Sequence, residues 1–456
     1  MSTYDMNTYD LDSSQVAALD FIRGKKLVIL TGGPGTGKTT ICKAVLGKEH
    51  ERLGPDSSRY PLLAAPTGKA ARRLKVVTGE RSSTIHRLLG WGRGDGHEYE
   101  ILRGDGGRPR GAMVDAHWEF GTACPLKTDL VIIDEASMID ISLAAALFRA
   151  IGSETRLLLV GDADQLPPVG PGRVFADLVE CAGRVPVVRL TTIHRSKADS
   201  WVCRESVRLI HGEVPSLVDA EDFSWVPRGT PDEACDAVVE QVCKVLPKRG
   251  LGIPLDSIQV LVPQNVGRAG SFVLNQRLQE ALNPARPGEE AWSLGRGEDI
   301  WQLRRLDRVI QIRNDYDKDV MNGEIGVVVA LNATTVTIRF EAMTPLPAYD
   351  PSDIDFADLD DLTEYTREEA RDNLRLAYAL SIHKSQGSEW SWVVVLCHST
   401  HSYMLTRRLL YTAITRAQQG IVLVGDERGV RYATKTVKDV KRNSAVAEAL
   451  KGLTAS

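Results

Sequence analysis

Short runs of Val, Ile, Leu and Ala recur along this chain, and each stops abruptly in a polar loop carrying Gly, Pro or acid. Such runs are Lys26–Thr31, Tyr60–Ala65, Asp129–Ile133, Arg156–Val160, Ile258–Val262, Trp392–Leu396 and Gly420–Gly425. Runs without alternation read as strands buried on both faces, the signature of parallel sheets. Between them lie segments of helical period: Leu11–Leu19, Thr40–Leu46, the stretch after Lys69, short Thr84–Leu89, and Leu409–Ala417. Strands alternating with helices predict an α/β chain whose polar loops gather at the carboxyl edges of its sheets, where ligands bind. A second such unit is predicted to open near Val187. The texture changes between Leu303 and Arg371. There Asp307–Ile312, Asn322–Val329 and Thr335–Phe340 alternate and turn at Asn322-Gly323, predicting a small antiparallel barrel or meander. Gly90–Gly111, rich in Gly, Arg and Asp, reads as a surface insertion. Asp350–Asp372 carries ten acids against two arginines and reads as a solvated return connection.

At 456 residues the chain holds roughly two to four compact units. A content of 43% hydrophobic and 25% charged residues is ordinary for a globular protein. No apolar run approaches the roughly 18 residues of a membrane span. Met1–Asp12 is polar and acidic, unlike a signal or transit peptide. The seven cysteines are scattered with no C-x-x-C pair, which argues against zinc sites and disulfides and for reduced thiols in the cytoplasm. A net charge of −4 excludes a generally basic coat for nucleic acid, so any such partner must meet positive charge gathered in one groove.

The chemistry centres on Gly32-Gly33-Pro34-Gly35-Thr36-Gly37-Lys38-Thr39, which matches G-x-x-x-x-G-K-[ST] between a strand and a helix. The glycines let backbone N–H groups converge on phosphate oxygens, aided by the helix N-terminus where Thr40 follows. In such a loop Lys38 reaches the β/γ-phosphates and the Thr39 hydroxyl holds Mg²⁺, so ATP and Mg²⁺ are the expected ligands. Asp134-Glu135 closes another apolar run. Asp134 suits the metal, and Glu135 suits polarisation of an attacking water. Gln165, in the proline-locked loop after Arg156–Val160, is placed to sense the γ-phosphate. Gln15 offers donor and acceptor to an adenine edge, although a lone Gln on a helix is more often solvated. Pro66-Thr67-Gly68-Lys69 repeats a Thr/Gly/Lys turn suited to nucleic-acid backbone, although alone it equals an ordinary strand-to-helix turn.

GGPGTGKT, APTGKAA, DEASM, GDADQLPPVG, NGEIGVV, SIHKSQGSE and YTAITRA stand in one order along nearly the whole chain. In that order they resemble superfamily 1 helicases of the 5′→3′ branch containing RecD and phage Dda. The resemblance implies two RecA-like P-loop motor domains, with a β-hairpin pin inserted in the first and an SH3-like β-barrel in the second. On that pattern the first motor domain covers 1–186 with an insertion at about 90–128. The second covers 187–302 and 372–456, and the barrel 303–371. The resemblance assigns adenine reading to Gln15, and nucleotide contacts to Gly33 through Thr40 and to Gln386, Gly387 and Glu389. It assigns γ-phosphate arginines to Arg195 and Arg416. Grip on single-stranded DNA falls to Pro66, Thr67, Lys69, Thr84, His86, His383 and Lys384. For the pin, His117–Leu126 is the candidate. Trp118 and Phe120 alternate across Glu119, so a strand would face both rings to one side, either toward a DNA fork or into the core. The implied partners are single-stranded and forked duplex DNA, with a single-strand-binding protein or replication and recombination factors besides. No membrane partner is implied, and the motor is expected to act as a monomer. The start close to Gln15 is similar to the short Dda form and suggests a self-contained helicase. Two rival readings are a translocase that remodels bound proteins without unwinding, and the motor part of a larger recombination or conjugation system. The conjugative reading needs a metal-binding His triad and tyrosine nucleophiles in a domain upstream, and no such domain is expected ahead of Gln15.

Overall fold

In the computed structural model, described residues are 11–54, 57, 59–91, 118–192, 200–247, 257–295, 300–315, 317–340, 362–437, 446, 448 and 450. The apolar runs become two parallel sheets. In the first, β1 (Leu27–Gly32), β2 (Leu62–Ala65), β3 (Ser82–Thr84), β4 (Leu130–Ile133), β5 (Arg156–Gly161) and β6 (Val187–Leu190) lie in the order β3-β2-β4-β5-β1-β6. β1 and β4 flank β5, so the loops after these three strands emerge side by side at one carboxyl edge. One face of the sheet buries Ile29, Val131 and Leu159, and the other buries Leu30, Ile132 and Val160. That two-sided burial is why the runs are continuous rather than alternating.

β6 corrects the boundary read from sequence at 187. Val187–Leu190 pairs with β1 through Ile29↔Val187 and Gly32↔Leu190, so it completes the first sheet rather than opening the second unit. Its apolar residues satisfy either sheet, and only pairing decides which.

After β7 (Phe223–Pro227) and β8 (Ile258–Val262) the chain leaves the second sheet to make a hairpin of β9 (Ala291–Leu294) and β10 (Trp301–Arg304). It then builds five antiparallel strands: β11 (Arg308–Gln311), β12 (Ile325–Leu331), β13 (Thr335–Phe340), β14 (Leu362–Thr366) and β15 (Leu374–Leu376). It returns to the second sheet with β16 (Ala379–Ser381), β17 (Trp390–Cys397) and β18 (Ala417–Gly425), in the order β16-β8-β17-β18-β7. The antiparallel unit therefore runs past the expected limit at 371, because β15 pairs with β11. Part of the acidic stretch is likewise structured. Leu362–Thr366 is an edge strand on β13, and Arg367–Asn373 is a helix begun by a Thr366/Glu369 capping box. Positions 341–361 lie outside the described residues.

The inserted unit and the second α/β domain share one hydrophobic core, in which Val260 and Val394 pack with Val309, Val328 and Ile338. Buried Asp307 strengthens the junction. It accepts hydrogen bonds from Gln279 (2.5 Å), Asn283 (2.8 Å), the Arg304 N–H (2.7 Å) and the Tyr378 hydroxyl (2.9 Å). Burial still pushes its carboxyl up to about 6. Among the described residues no helix is long and apolar enough to cross a membrane.

Candidate functional site

The loop after β1 takes its shape from its glycines. Gly35 (φ 71°) and Gly37 (φ 82°) stand in the left-handed region, and Gly37 begins the helix Lys38–Leu53. Thr36 Oγ1 donates to Gly33 O at 2.9 Å. Lys38 Nζ folds over the loop and donates to the carbonyls of Gly32 (2.7 Å) and Gly33 (2.8 Å). Its ammonium therefore sits at the loop mouth with Pro34, and Thr39 and Thr40 form the first turn behind it.

Across the sheet edge, Asp134 and Glu135 follow β4. Glu135 adopts φ 50°, a left-handed backbone that costs a side-chain-bearing residue on the order of 1 kcal/mol. This sharp reversal lets the Glu135 N–H donate to Asp134 Oδ1 at 2.8 Å and keeps both acids at the edge. Burial, then the adjacent Glu135 charge, push the Asp134 carboxyl up to about 6, against the pull of Lys38 and Arg73. Two clustered acids that nearby cations do not fully offset fit a divalent cation.

The loop after β5 is clamped by the second α/β domain. Asp162 accepts from Gln165 Nε2 (3.2 Å) and, on the same oxygen, from the Tyr411 hydroxyl (2.9 Å). Tyr411 belongs to the helix Arg407–Ile414, and its hydroxyl lies 3.4 Å from where a side chain on Gly33 would begin. Leu166 N–H donates to Thr412 Oγ1 (3.0 Å), and Gln386 Nε2 donates to Leu166 O (3.2 Å). Gln165 and Gln386 are thus brought to one junction beside the nucleotide loop.

Arg416 is buried and held within its own domain. Its guanidinium donates to Thr412 O (3.1 Å), Ser388 O (3.1 Å) and Thr415 Oγ1 (3.3 Å). It stands near Tyr411, with no hydrogen bond to the Lys38 loop among the described residues. Arg195 lies outside the described residues. Gly387 (φ 73°) packs against Ala70 and Thr67 of the first domain. Glu389 accepts from Arg73 Nη2 at 2.8 Å and from Gln418 at 3.3 Å. Arg73 and Tyr411 are site residues that sequence reading missed. Their only signals were an arginine one helical turn beyond Lys69 and a tyrosine inside YTAITRA. Burial opposes the Arg73 charge, but the carboxylates of Glu389, Glu135 and Asp134 outweigh it and hold its pKa above the usual value. Buried Gln15 spends its amide oxygen on the Asp12 N–H (3.1 Å) in a capping box.

Of the DNA candidates, Pro66 follows β2, and Thr67 caps the helix Gly68–Thr78 by accepting from Ala70 N (3.3 Å). Thr84 caps Ile85–Leu88 by accepting from Arg87 N (3.2 Å). Both hydroxyls thus have local work to do. Lys69 Nζ sits 5.3 Å over the Trp390 ring, between the domains. His383 and Lys384 share the turn Ile382–Ser385. Lys384 lines a cavity of about 640 Å³ with Asn265, Arg268, Trp301 and Arg375, and burial, then Arg375, lower its pKa. His383 lines another of about 510 Å³ with Pro167, Pro168, Tyr403 and Arg408. His86 meets Trp91 (5.9 Å) and Trp118 (5.8 Å), and burial lowers its pKa.

The alternating strand read for the pin is not found in its described part. Residues 118–124 form bends, with Gly121 and Cys124 exchanging backbone hydrogen bonds in a tight turn. Trp118 packs on Trp91 at 4.5 Å, and both Trp118 and Phe120 rest against the first domain's core. His117 and most of Gly90–Gly111 lie outside the described residues.

Comparison with known proteins places this geometry. Residues 10–230 match the family described as AAA domain, 274–340 the ATP-dependent RecD-like DNA helicase SH3 domain, and 376–424 the UvrD-like helicase C-terminal domain. The chain is 36% identical over 442 residues to the ATP-dependent RecD2 DNA helicase of Deinococcus radiodurans. That alignment covers 97% of this chain and 52% of the relative, so the chain spans about half the relative's length. It is 33% identical over 448 residues to the RecBCD enzyme subunit RecD of Mycolicibacterium smegmatis, covering 92% of this chain and 72% of that one. Among solved structures, Bacteroides Pif1 bound to ssDNA superposes with a TM-score of 0.52 at 18% identity, covering 97% and 98% of the two chains, a likeness of fold. With two motor domains, an inserted SH3-like unit and this similarity along nearly its whole length, the chain belongs to the RecD family of helicases.

Proposed function

We propose that this chain is an ATP-hydrolysing motor that moves 5′→3′ along single-stranded DNA and parts duplex at a fork. The observation that carries the reading is the junction at Asp162. There the phosphate-binding domain and the helix bearing Tyr411, Thr412 and the neighbouring Arg416 meet beside the Lys38 loop. A nucleotide at that loop touches both domains and so biases their separation.

In this mechanism Lys38 gives up the Gly32 and Gly33 carbonyls for the β/γ-phosphates. Glu135 orients and polarises the attacking water, and Gln165 senses the γ-phosphate through the loop it shares with Asp162. Arg416, with Arg195 by resemblance, supplies positive charge from the second domain as the phosphoryl bond breaks, an effect worth roughly 10³–10⁵ in rate. Asp134 and Thr39 would hold Mg²⁺, which when bound neutralises charge on the phosphate oxygens. Arg73, Gln386, Gly387 and Glu389 line the nucleotide cleft, and Gln15 reads the base. Pro66, Thr67, Lys69, Thr84 and His86 grip the strand on one domain, and His383 and Lys384 on the other. Alternation between these grips moves the strand. One base-pair step is worth on the order of 1.4 kcal/mol, within reach of one ATP. The 5′→3′ polarity and monomeric action rest on the family resemblance.

ATP turnover with and without single-stranded DNA, on the native chain and on Lys38→Ala, tests the reading. Native turnover should rise strongly with the strand, and Lys38→Ala should abolish it. A turnover indifferent to DNA would end the motor assignment.

A further inference from the structure

A second contact joins the two motor domains, along the cavity that Arg72, Arg73, Glu324 and Glu389 line together. The SH3-like unit shares its core with the second motor domain, so the two are joined as one packed body. From this body the segment 317–324 reaches back onto the helix Gly68–Thr78 of the first domain. Arg72 Nη2 donates to Asp319 O at 2.6 Å, Arg72 Nη1 lies 3.0 Å from Glu324 Oε2, and Arg87 Nη1 lies 3.5 Å from Asp319 Oδ1. Met321 fills the notch left by the missing side chain of Gly68, where any Cβ would collide with it.

The contact is built to release. Glu324 is only 5% exposed, yet neither of its carboxylate oxygens accepts a hydrogen bond, because Arg72 approaches outside hydrogen-bond alignment. The Arg72 charge and a poorly aligned Met321 N–H are what meet this carboxylate, and they offset only part of its desolvation cost. Asp319 and the two arginines are exposed and contribute modestly.

Position gives the contact a role. Gly68 and Arg87 adjoin Thr67 and His86, the proposed strand grips, so the docked segment flanks the strand path on the first domain. Arg73, next to Arg72 on the same helix, holds Glu389 in the nucleotide cleft. Two adjacent guanidiniums therefore hold one helix against the second body, one inside the cleft and one beneath the inserted unit.

We propose that segment 317–324 is a clasp on the helix Gly68–Thr78 that competes with strand entry and, through Arg72 and Arg73, restrains hydrolysis until DNA lifts it. Arg72, Asp319 and Glu324 are positioning residues in this scheme. The inference rests on the reading of the chain as an ATP-driven motor on DNA.

The test compares ATPase of the full chain, Arg72→Glu, Arg72→Lys and Asp319→Asn across a titration of single-stranded oligonucleotide, with thermal midpoints measured alongside. Asp319→Asn removes charge while keeping a residue tolerant of the φ of 51° found there. Arg72→Glu should raise DNA-free turnover and lower the half-activating oligonucleotide concentration, each roughly fivefold or more, with turnover at saturating DNA nearly unchanged. Asp319→Asn should move both in the same direction by less, and Arg72→Lys should stay near native. Unchanged DNA-free turnover and half-activation in both Arg72→Glu and Asp319→Asn would overturn the clasp. So would loss of saturated turnover together with the thermal midpoint in both. A native chain without DNA stimulation would instead mark failure of the motor reading.

Discussion

Replacing Tyr411 by Phe isolates the hydrogen bond that joins the two motor domains at the nucleotide site. The ring is fully buried among Leu409, Leu410, Ala413 and Ile414, and Phe keeps that packing. Only the hydroxyl is lost, and with it the 2.9 Å hydrogen bond to Asp162. Asp162 is itself buried and retains Gln165 Nε2 on the same oxygen and the Asp164 N–H on the other. A hydrogen bond to a charged acceptor is worth about 1.5–3 kcal/mol. Because this one spans the domains, its loss falls on the closed arrangement alone. The ratio of closed to open chains should drop about 10- to 150-fold. If hydrolysis proceeds only from the closed arrangement and that arrangement is the minority, single-turnover hydrolysis at saturating DNA should slow by about 10-fold or more. The thermal midpoint should hold within about 4 °C, since each domain keeps its own core. A hydrolysis rate within about twofold of native, in a protein of native stability, would show that this bond plays no part in reaching the reactive state.

Glu135→Gln should still bind ATP but hydrolyse it about 10²–10⁴-fold more slowly, because an amide accepts no proton; near-native turnover would remove Glu135 from the water-activating role. The double change Trp118→Ala with Phe120→Ala should cost about 3 kcal/mol or more in urea unfolding and weaken ATPase and fork unwinding together, since both rings rest on the first core. Retained stability and ATPase with unwinding alone lost would instead make them pin residues. For pH, burial raises the Glu324 carboxyl from 4.5 to about 7 in the folded chain, which therefore binds its proton more tightly than the unfolded chain. This group's contribution to stability is greatest below about pH 4.5 and falls by up to about 3 kcal/mol as pH rises through 7. Glu324→Gln should flatten the midpoint difference between pH 6 and 8, and an unaltered difference would refute that assignment.

Much of the nucleotide site was legible because its chemistry is local. Phosphate binding demands glycines and a lysine within one loop, and Asp134-Glu135 terminates its own apolar run. The caps at Thr67 and Thr84 are equally local, since a hydroxyl meets an N–H three residues away, yet both residues read from sequence only as strand grips. What escaped depended on partners distant in sequence. Val187–Leu190 is apolar enough for either sheet, and its pairing with β1 settles the matter. The alternation across Glu119 failed because the exchange between Gly121 and Cys124 folds the segment into a turn. Arg73 and Tyr411 acquire meaning only when the domains meet Glu389 and Asp162, and Glu324 only when the inserted unit docks on Arg72.

Strand separation on duplexes bearing a 5′ tail, a 3′ tail or blunt ends, with ATP and Mg²⁺, tests the central claim most directly. The 5′-tailed substrate should be unwound, and only when ATP is hydrolysed, while the blunt and 3′-tailed substrates stay duplex. Unwinding of the 3′-tailed substrate alone would contradict the polarity. ATP turnover stimulated by single strands with no separation of any substrate would leave a translocase in place of a helicase.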